Sequence, residues 1–177
     1  APPGRPAATA PGSPPGPPPS AAGPPAAASP PPLVGAGGRQ AAELYQTAYI
    51  DYTKGNYNLA IAAFTEFIRL YPSTDLAEKA QYWIGESHFS LARDLQTRGE
   101  RTRAAQEFER SVQEFRRVMI NYPRGDKVPI AVYKEAVALL ELGQGGLAEA
   151  RLQFLVDQFP YTEEAAKAKE ELAKRKK

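Results

Sequence analysis

The sequence predicts an all-α protein, a short stack of helix hairpins behind a long proline-rich leader. Three observations carry that prediction. Of residues 1–38, 31 are Pro, Gly or Ala, and only 4 of the 18 prolines fall in residues 39–177. From Arg39 onward apolar residues recur at three- and four-residue steps, which is the helical period, and no stretch shows the sustained alternation of a half-buried strand. One residue pattern also returns three times along the chain, each time around an aromatic–proline pair.

The leader comes first. Residues 1–38 hold 14 Pro, 7 Gly and 10 Ala, with a single charge at Arg5. Almost no large apolar side chain is available to offset the entropy of ordering, so the segment is expected to be disordered. Pro17-Pro18-Pro19 and Pro30-Pro31-Pro32 stiffen it toward polyproline II, and Gly35 to Gly38 loosen it again. It reads as a spacer rather than a ligand for a proline-binding domain, because no clean P-x-x-P carries a flanking Arg or Lys. Since the chain begins at Ala1 rather than Met, it is expected to be a processed or trimmed piece.

The helices follow. Leu44, Ala48 and Tyr52 mark one apolar face, and Leu59, Ala60, Ala63, Phe64, Phe67 and Ile68 mark the next. Between them Lys54-Gly55-Asn56 supplies a turn, with Gly available for a left-handed helix end. The recurring pattern is Tyr71-Pro72-Ser73-Thr74-Asp75, Tyr122-Pro123-Arg124-Gly125-Asp126 and Phe159-Pro160-Tyr161-Thr162-Glu163. The aromatic closes one helix and Pro prevents its continuation. The Ser/Thr/Gly and acidic residues are expected to cap the next helix. Phe64, Phe115 and Leu152 precede the prolines by eight residues, and Ala60, Ser111 and Ala148 by twelve. Ala48 and Ala136 stand twelve residues before Ala60 and Ala148. Small residues in facing positions let paired helices approach closely, and this spacing is that of the tetratricopeptide repeat.

Three such hairpins are expected, over about 41–71, 75–122 and 126–159, in a right-handed superhelical stack. A helix from Glu163 to about Lys174 would cap it. The second hairpin is longer: its proline lies 51 residues after the first, against 37 for the next interval. The excess of 14 is near four helical turns, and helical spacing persists on both sides. It is read as an elongated hairpin with its tip near Arg98-Gly99-Glu100, each helix gaining about two turns. A disordered insertion is the alternative.

Composition excludes several functions. There is no Cys, one His, and a balance of 22 basic against 20 acidic residues. That leaves no thiolate chemistry, no His-His metal pair and no charge argument for nucleic acid. No run approaches the 18 apolar residues of a membrane span. His88 shares a face with Ile84 and Leu91 and reads as a packing histidine. No serine lies in a G-x-S-x-G context, and Gly143, Gly145 and Gly146 lack the Lys-Ser/Thr of a phosphate loop. Glu107, Glu109, Arg110, Glu114, Arg116 and Arg117 read as a solvated, salt-laced face. Lys174 to Lys177 read as a frayed end. No catalytic residue, metal or cofactor is expected.

One feature points to binding. Tyr45, Tyr49 and Tyr52 share a face of the first helix, offset from the Leu44–Ala48 face. Tyr82, Glu86 and Phe89 occupy the equivalent face of the second hairpin, and Tyr133, Val137 and Leu140 that of the third. In stacked hairpins the first helices line a concave groove, and Tyr suits recognition surfaces. Tyr45, Tyr49, Tyr52, Tyr82, Glu86, Phe89 and Tyr133 are therefore the candidate partner-binding residues. Trp83, one residue round, is expected in the core.

The segment Ala48-Tyr49-Ile50-Asp51-Tyr52-Thr53-Lys54-Gly55-Asn56-Tyr57-Asn58-Leu59-Ala60-Ile61 resembles the first repeat of the YbgF/CpoB family. Ala80-Gln81-Tyr82-Trp83-Ile84-Gly85-Glu86 is similar to the second-repeat opening. Asp126-Lys127-Val128-Pro129 with Leu139-Leu140-Glu141-Leu142-Gly143 is similar to the third. The resemblance implies a periplasmic, non-enzymatic adaptor of the Tol-Pal system that binds TolA and coordinates outer-membrane constriction with the peptidoglycan synthesis machinery in cell division. It also implies an oligomerising coiled coil upstream of this chain. Two alternatives are weighed. An outer-membrane assembly lipoprotein of the BamD type is disfavoured by three repeats against about five and by the missing anchoring Cys. The other is the binding domain of a larger envelope enzyme.

Overall fold

A computed structural model describes residues 36–175, all helical apart from turns. The leader expectation for residues 1–35 lies outside the described residues. Ala36, Gly37 and Gly38 form the first turn of α1. With no proline after Pro32 until Pro72, nothing blocks a helix there. Seven helices follow in order: α1 (Ala36–Thr53), α2 (Tyr57–Leu70), α3 (Asp75–Thr97), α4 (Arg101–Asn121), α5 (Val128–Glu141), α6 (Gly145–Gln158) and α7 (Glu163–Arg175). Each helix packs on the next, α1 also touches α3, and α7 also touches α5.

Two kinds of turn alternate. The turns α1–α2, α3–α4 and α5–α6 each carry a glycine at positive φ, namely Gly55, Gly99 and Gly143. There Asn56, Glu100 and Gln144 donate their N–H groups to Asp51, Leu95 and Leu139, each at 2.9 Å. This helix ending needs a left-handed residue, which only glycine adopts cheaply. The other turns are the aromatic–proline junctions. Tyr71, Tyr122 and Phe159 take φ of −131°, −132° and −129°. A following proline excludes them from the helical region.

The expected caps form only in part. Thr162 Oγ1 accepts the Ala165 N–H at 3.2 Å, whereas Thr74 makes no such bond to α3. At the second junction the capping group comes from elsewhere in the chain. Glu78 of α3 accepts the Lys127 N–H at the start of α5. Gly125 makes room, since a Cβ there would overlap the Glu78 carboxylate.

The 14-residue excess is two turns added to each arm of one hairpin. α3 and α4 run to 23 and 21 residues, against 14 in each of α2, α5 and α6. Their tip is at Arg98–Glu100, as the helical spacing predicts. Counted from the turn glycine, Gly85 and Ser111 stand 14 and 12 residues away, against 7 and 5 for Ala136 and Ala148. The added seven in each arm is nearly two whole turns, so the inward face is kept. Ala48 and Ala60 oppose each other in the first pair and Ala136 and Ala148 in the third, all fully buried. In the second pair Gly85 and Ser111 take those places. Ser111 Oγ donates to the Gly85 carbonyl at 3.0 Å. Phe115 lies so close that a Cβ on Gly85 would stand 2.8 Å from its ring.

Two core clusters result. One gathers Ala41, Ala48, Ala60, Phe64, Phe67, Ala77, Ala80 and Ile84. The other runs from Tyr82, Phe108 and Phe115 through Val128, Val132 and Leu139 to Leu152, Leu155 and Ala168. The α4 charges are less solvated than their pattern suggests. Glu135 of α5 is 1% exposed, and its Oε1 accepts from Arg116 Nη2 at 2.7 Å and Arg151 Nε at 2.9 Å. A buried carboxylate requires such partners, and these two tie α4 and α6 to α5. His88 Nδ1 lies 2.6 Å from Glu107 Oε2, joining α3 to α4 within the long hairpin.

Candidate functional site

Tyr45, Tyr49 and Tyr52 of α1 gather around Trp83 of α3. Trp83 Nε1 donates to the Tyr45 hydroxyl at 2.9 Å, which fixes the indole across the α1–α3 seam. Tyr49 meets that indole edge-on, with centroids 5.0 Å apart, and Tyr52 tilts against it at 4.8 Å. Tyr57, from the start of α2, packs on Tyr52 at 5.8 Å. Beneath them Tyr45 stands on the buried Phe64 and Phe67. The five rings of Tyr45, Tyr49, Tyr52, Tyr57 and Trp83 are all partly exposed. Trp83, expected in the core, packs against both core clusters but stays partly exposed at the seam.

The other candidates divide. Tyr82 and Glu86 are 5% and 7% exposed, so the face does not display them. They form its floor, because α5 covers the side of α3 that carries them. Tyr82 packs on Trp83 and Phe115. Its hydroxyl pKa is raised far above the ordinary phenol range, by burial first and then by the charge of Glu86. The Tyr52 hydroxyl is raised too, chiefly by burial, with Glu86 adding to the rise and a hydrogen bond with Ser90 opposing it. Lys134 of α5 reaches Glu86, its Nζ 2.9 Å from Oε1 and 3.0 Å from Oε2. Only Oε2 receives a well-directed hydrogen bond, leaving Oε1 buried without one.

Two lysines escape the sequence reading, Lys127 just before α5 and Lys134 within it. Lys127 Nζ sits 5.5 Å from the Tyr82 ring centre, and Lys134 Nζ 5.3 Å from that of Phe89. Phe89 also packs edge-on against Phe108. Tyr133 is not brought to the others. It makes no ring contact among the described residues and lies within electrostatic reach of Lys167 and Lys174 on α7.

The polar groups pair with each other, and no three metal-ligating side chains converge among the described residues. A cleft of about 430 Å³ lies away from the aromatic face, between Pro72–Asp75 and Asn121–Gly125. Its inner acid, Glu78, is committed to α5. What the aromatic face offers is a broad π surface with pinned hydroxyls, suited to contact with another polypeptide.

A family model described as YfiO, an outer membrane lipoprotein, matches residues 36–127, which span α1 through α4. The chain belongs to the YfiO family. No curated protein matches the chain. This YfiO-family match, to a BamD-like, tetratricopeptide-type model, fits the outer-membrane assembly lipoprotein weighed as an alternative at least as well as the Tol-Pal coordinator expected first. It supports a helical, protein-interacting domain of the cell envelope. No described helix is long and apolar enough to cross a membrane.

Proposed function

We propose that this YfiO-family chain is a non-enzymatic adaptor of the outer-membrane assembly type, its repeat domain binding an envelope protein in the periplasm. In this reading the pairs α1/α2, α3/α4 and α5/α6 are three tetratricopeptide hairpins in a superhelical stack, α7 is their cap, and the aromatic face lies in the concavity. The observation that carries it is the cluster of Tyr45, Tyr49, Tyr52, Tyr57 and Trp83, five partly exposed rings on one seam. A core would bury them fully, and a solvent-facing surface would not gather them.

A second reading keeps the Tol-Pal coordinator, with TolA and the peptidoglycan machinery as partners. It rests on the sequence likeness over Ala48–Ile61, Ala80–Glu86 and Asp126–Gly143. Calorimetric titration separates the two, using the soluble periplasmic parts of the outer-membrane assembly machinery in one arm and of TolA in the other. The assembly reading expects saturable binding in the first arm only. Binding to TolA alone replaces it with the second, and binding in neither arm refutes both.

A further inference from the structure

We infer that the aromatic face between α1 and α3 takes a cationic side chain, Lys or Arg, from the bound polypeptide. The inference rests on the reading of this face as protein-binding and adds the chemistry of what it recognises.

The chain itself shows the pattern. Beside and beneath this face, toward α5, two rings already have a cation over them: Lys127 over Tyr82 and Lys134 over Phe89. Tyr49, Tyr52, Tyr57 and Trp83 have none among the described residues. They nevertheless form the larger π surface and include the indole, the aromatic that attracts cations most strongly. Their geometry is fixed beforehand. The Trp83 N–H is taken up by Tyr45 at 2.9 Å, so the indole presents ring rather than donor. Tyr49 and Tyr52 flank it at 5.0 and 4.8 Å, edge-on and tilted, which builds walls at an angle rather than a flat stack.

The electrostatics agree in sign. The charge of Glu86 reaches both Tyr52 and Tyr82, and its Oε1 stays buried without a directed hydrogen bond even though Lys134 pairs with the carboxylate. An arriving ammonium or guanidinium meets the negative faces of the rings, which repel a carboxylate.

Trp83 is the sole tryptophan, so intrinsic fluorescence reads this surface directly. The whole chain is titrated with four capped peptides of repeating Gly-Ser-Xaa, where Xaa is Lys, Arg, norleucine or Glu. Norleucine keeps the aliphatic stem of lysine and lacks the charge. The Lys and Arg peptides should bind roughly 2- to 30-fold tighter than the norleucine peptide, and the Glu peptide should bind weakest. Tyr49→Leu and Tyr52→Leu, checked for helicity by circular dichroism, should bring the Lys peptide down to the norleucine level. Equal binding of the Lys and norleucine peptides overturns the cation preference and leaves a peptide-binding face standing. No saturable change at Trp83 with any of the four overturns both. A Lys preference that survives in both folded variants overturns the assignment to these rings.

Discussion

Gly85→Ala should destabilise the protein, although alanine is the better helix former. In a helix interior the exchange alone favours the fold by about 1 kcal/mol. Here the added Cβ would stand 2.8 Å from two atoms of the Phe115 ring. That ring is 1% exposed and held against Tyr82 at 5.7 Å, so it has no route to solvent. α4 must move away instead, which stretches the buried bond from Ser111 to the Gly85 carbonyl, now 3.0 Å. Overpacking of this kind costs about 1–3 kcal/mol, and loss of the hydrogen bond adds about 1 kcal/mol. After the propensity gain the net is a loss of about 1–3 kcal/mol. With a urea slope of ~2 kcal/mol/M the midpoint should fall by roughly 0.5–1.5 M. Gly146→Ala in α6 is the control, because its Cβ would meet nothing within 4 Å. It should gain a few tenths to about 1 kcal/mol. If Gly85→Ala raises the midpoint as Gly146→Ala does, the close approach of α3 and α4 is wrong.

Two other consequences can be measured. Glu135→Ala strips the partner from Arg116 and Arg151 at the junction of α4, α5 and α6; both arginines retain some solvent, so a loss of about 1–3 kcal/mol is expected in chemical denaturation. Arg116→Ala should cost less, since Arg151 still satisfies Glu135, and the reverse order would refute the network. Alkali should destabilise the fold from about pH 10 upward, because the raised Tyr82 pKa means that the unfolded chain releases its proton first. That contribution is complete below the ordinary tyrosine pKa and fades above it. Tyr82→Phe should flatten the loss between pH 10 and 11.5, and an unchanged profile would place Tyr82 in solvent.

Most of the helical architecture can be read from the residues alone. The three glycine turns and three aromatic–proline junctions mark every break between helices, because each rests on local backbone sterics, whereas the start of α1 at Ala36 falls inside the segment expected to be disordered. The long second hairpin is legible for a similar reason, since an insertion of whole turns leaves the periodicity intact. Its facing pair of small residues, Gly85 and Ser111, is harder to find because the insertion moves them 26 residues apart, against 12 for Ala48 and Ala60. The site is only half legible. Periodicity places Tyr45, Tyr49 and Tyr52 on one face but does not fix how α3 is rotated against it. That rotation brings Trp83 out beside the tyrosines and sends Tyr82 and Glu86 beneath α5. Lys127 and Lys134 act through helix packing across about fifty residues, which no local pattern signals. The family divides the same way, with short likenesses pointing to a Tol-Pal coordinator while the match over α1–α4 is to an outer membrane lipoprotein.

The central claim is that the α1–α3 aromatic seam is the partner-binding surface. The most direct measurement is calorimetric titration of the wild type, Tyr49→Ala and Glu109→Ala with whichever envelope partner binds, with circular dichroism on each variant. Glu109 is an exposed residue of α4. Losing an aromatic anchor at an interface centre costs about 2 kcal/mol or more, roughly thirtyfold in affinity. The account predicts that loss for a folded Tyr49→Ala and nearly unaltered binding for Glu109→Ala. Full affinity in Tyr49→Ala, with binding lost in Glu109→Ala, would move the binding surface to the opposite side of the stack.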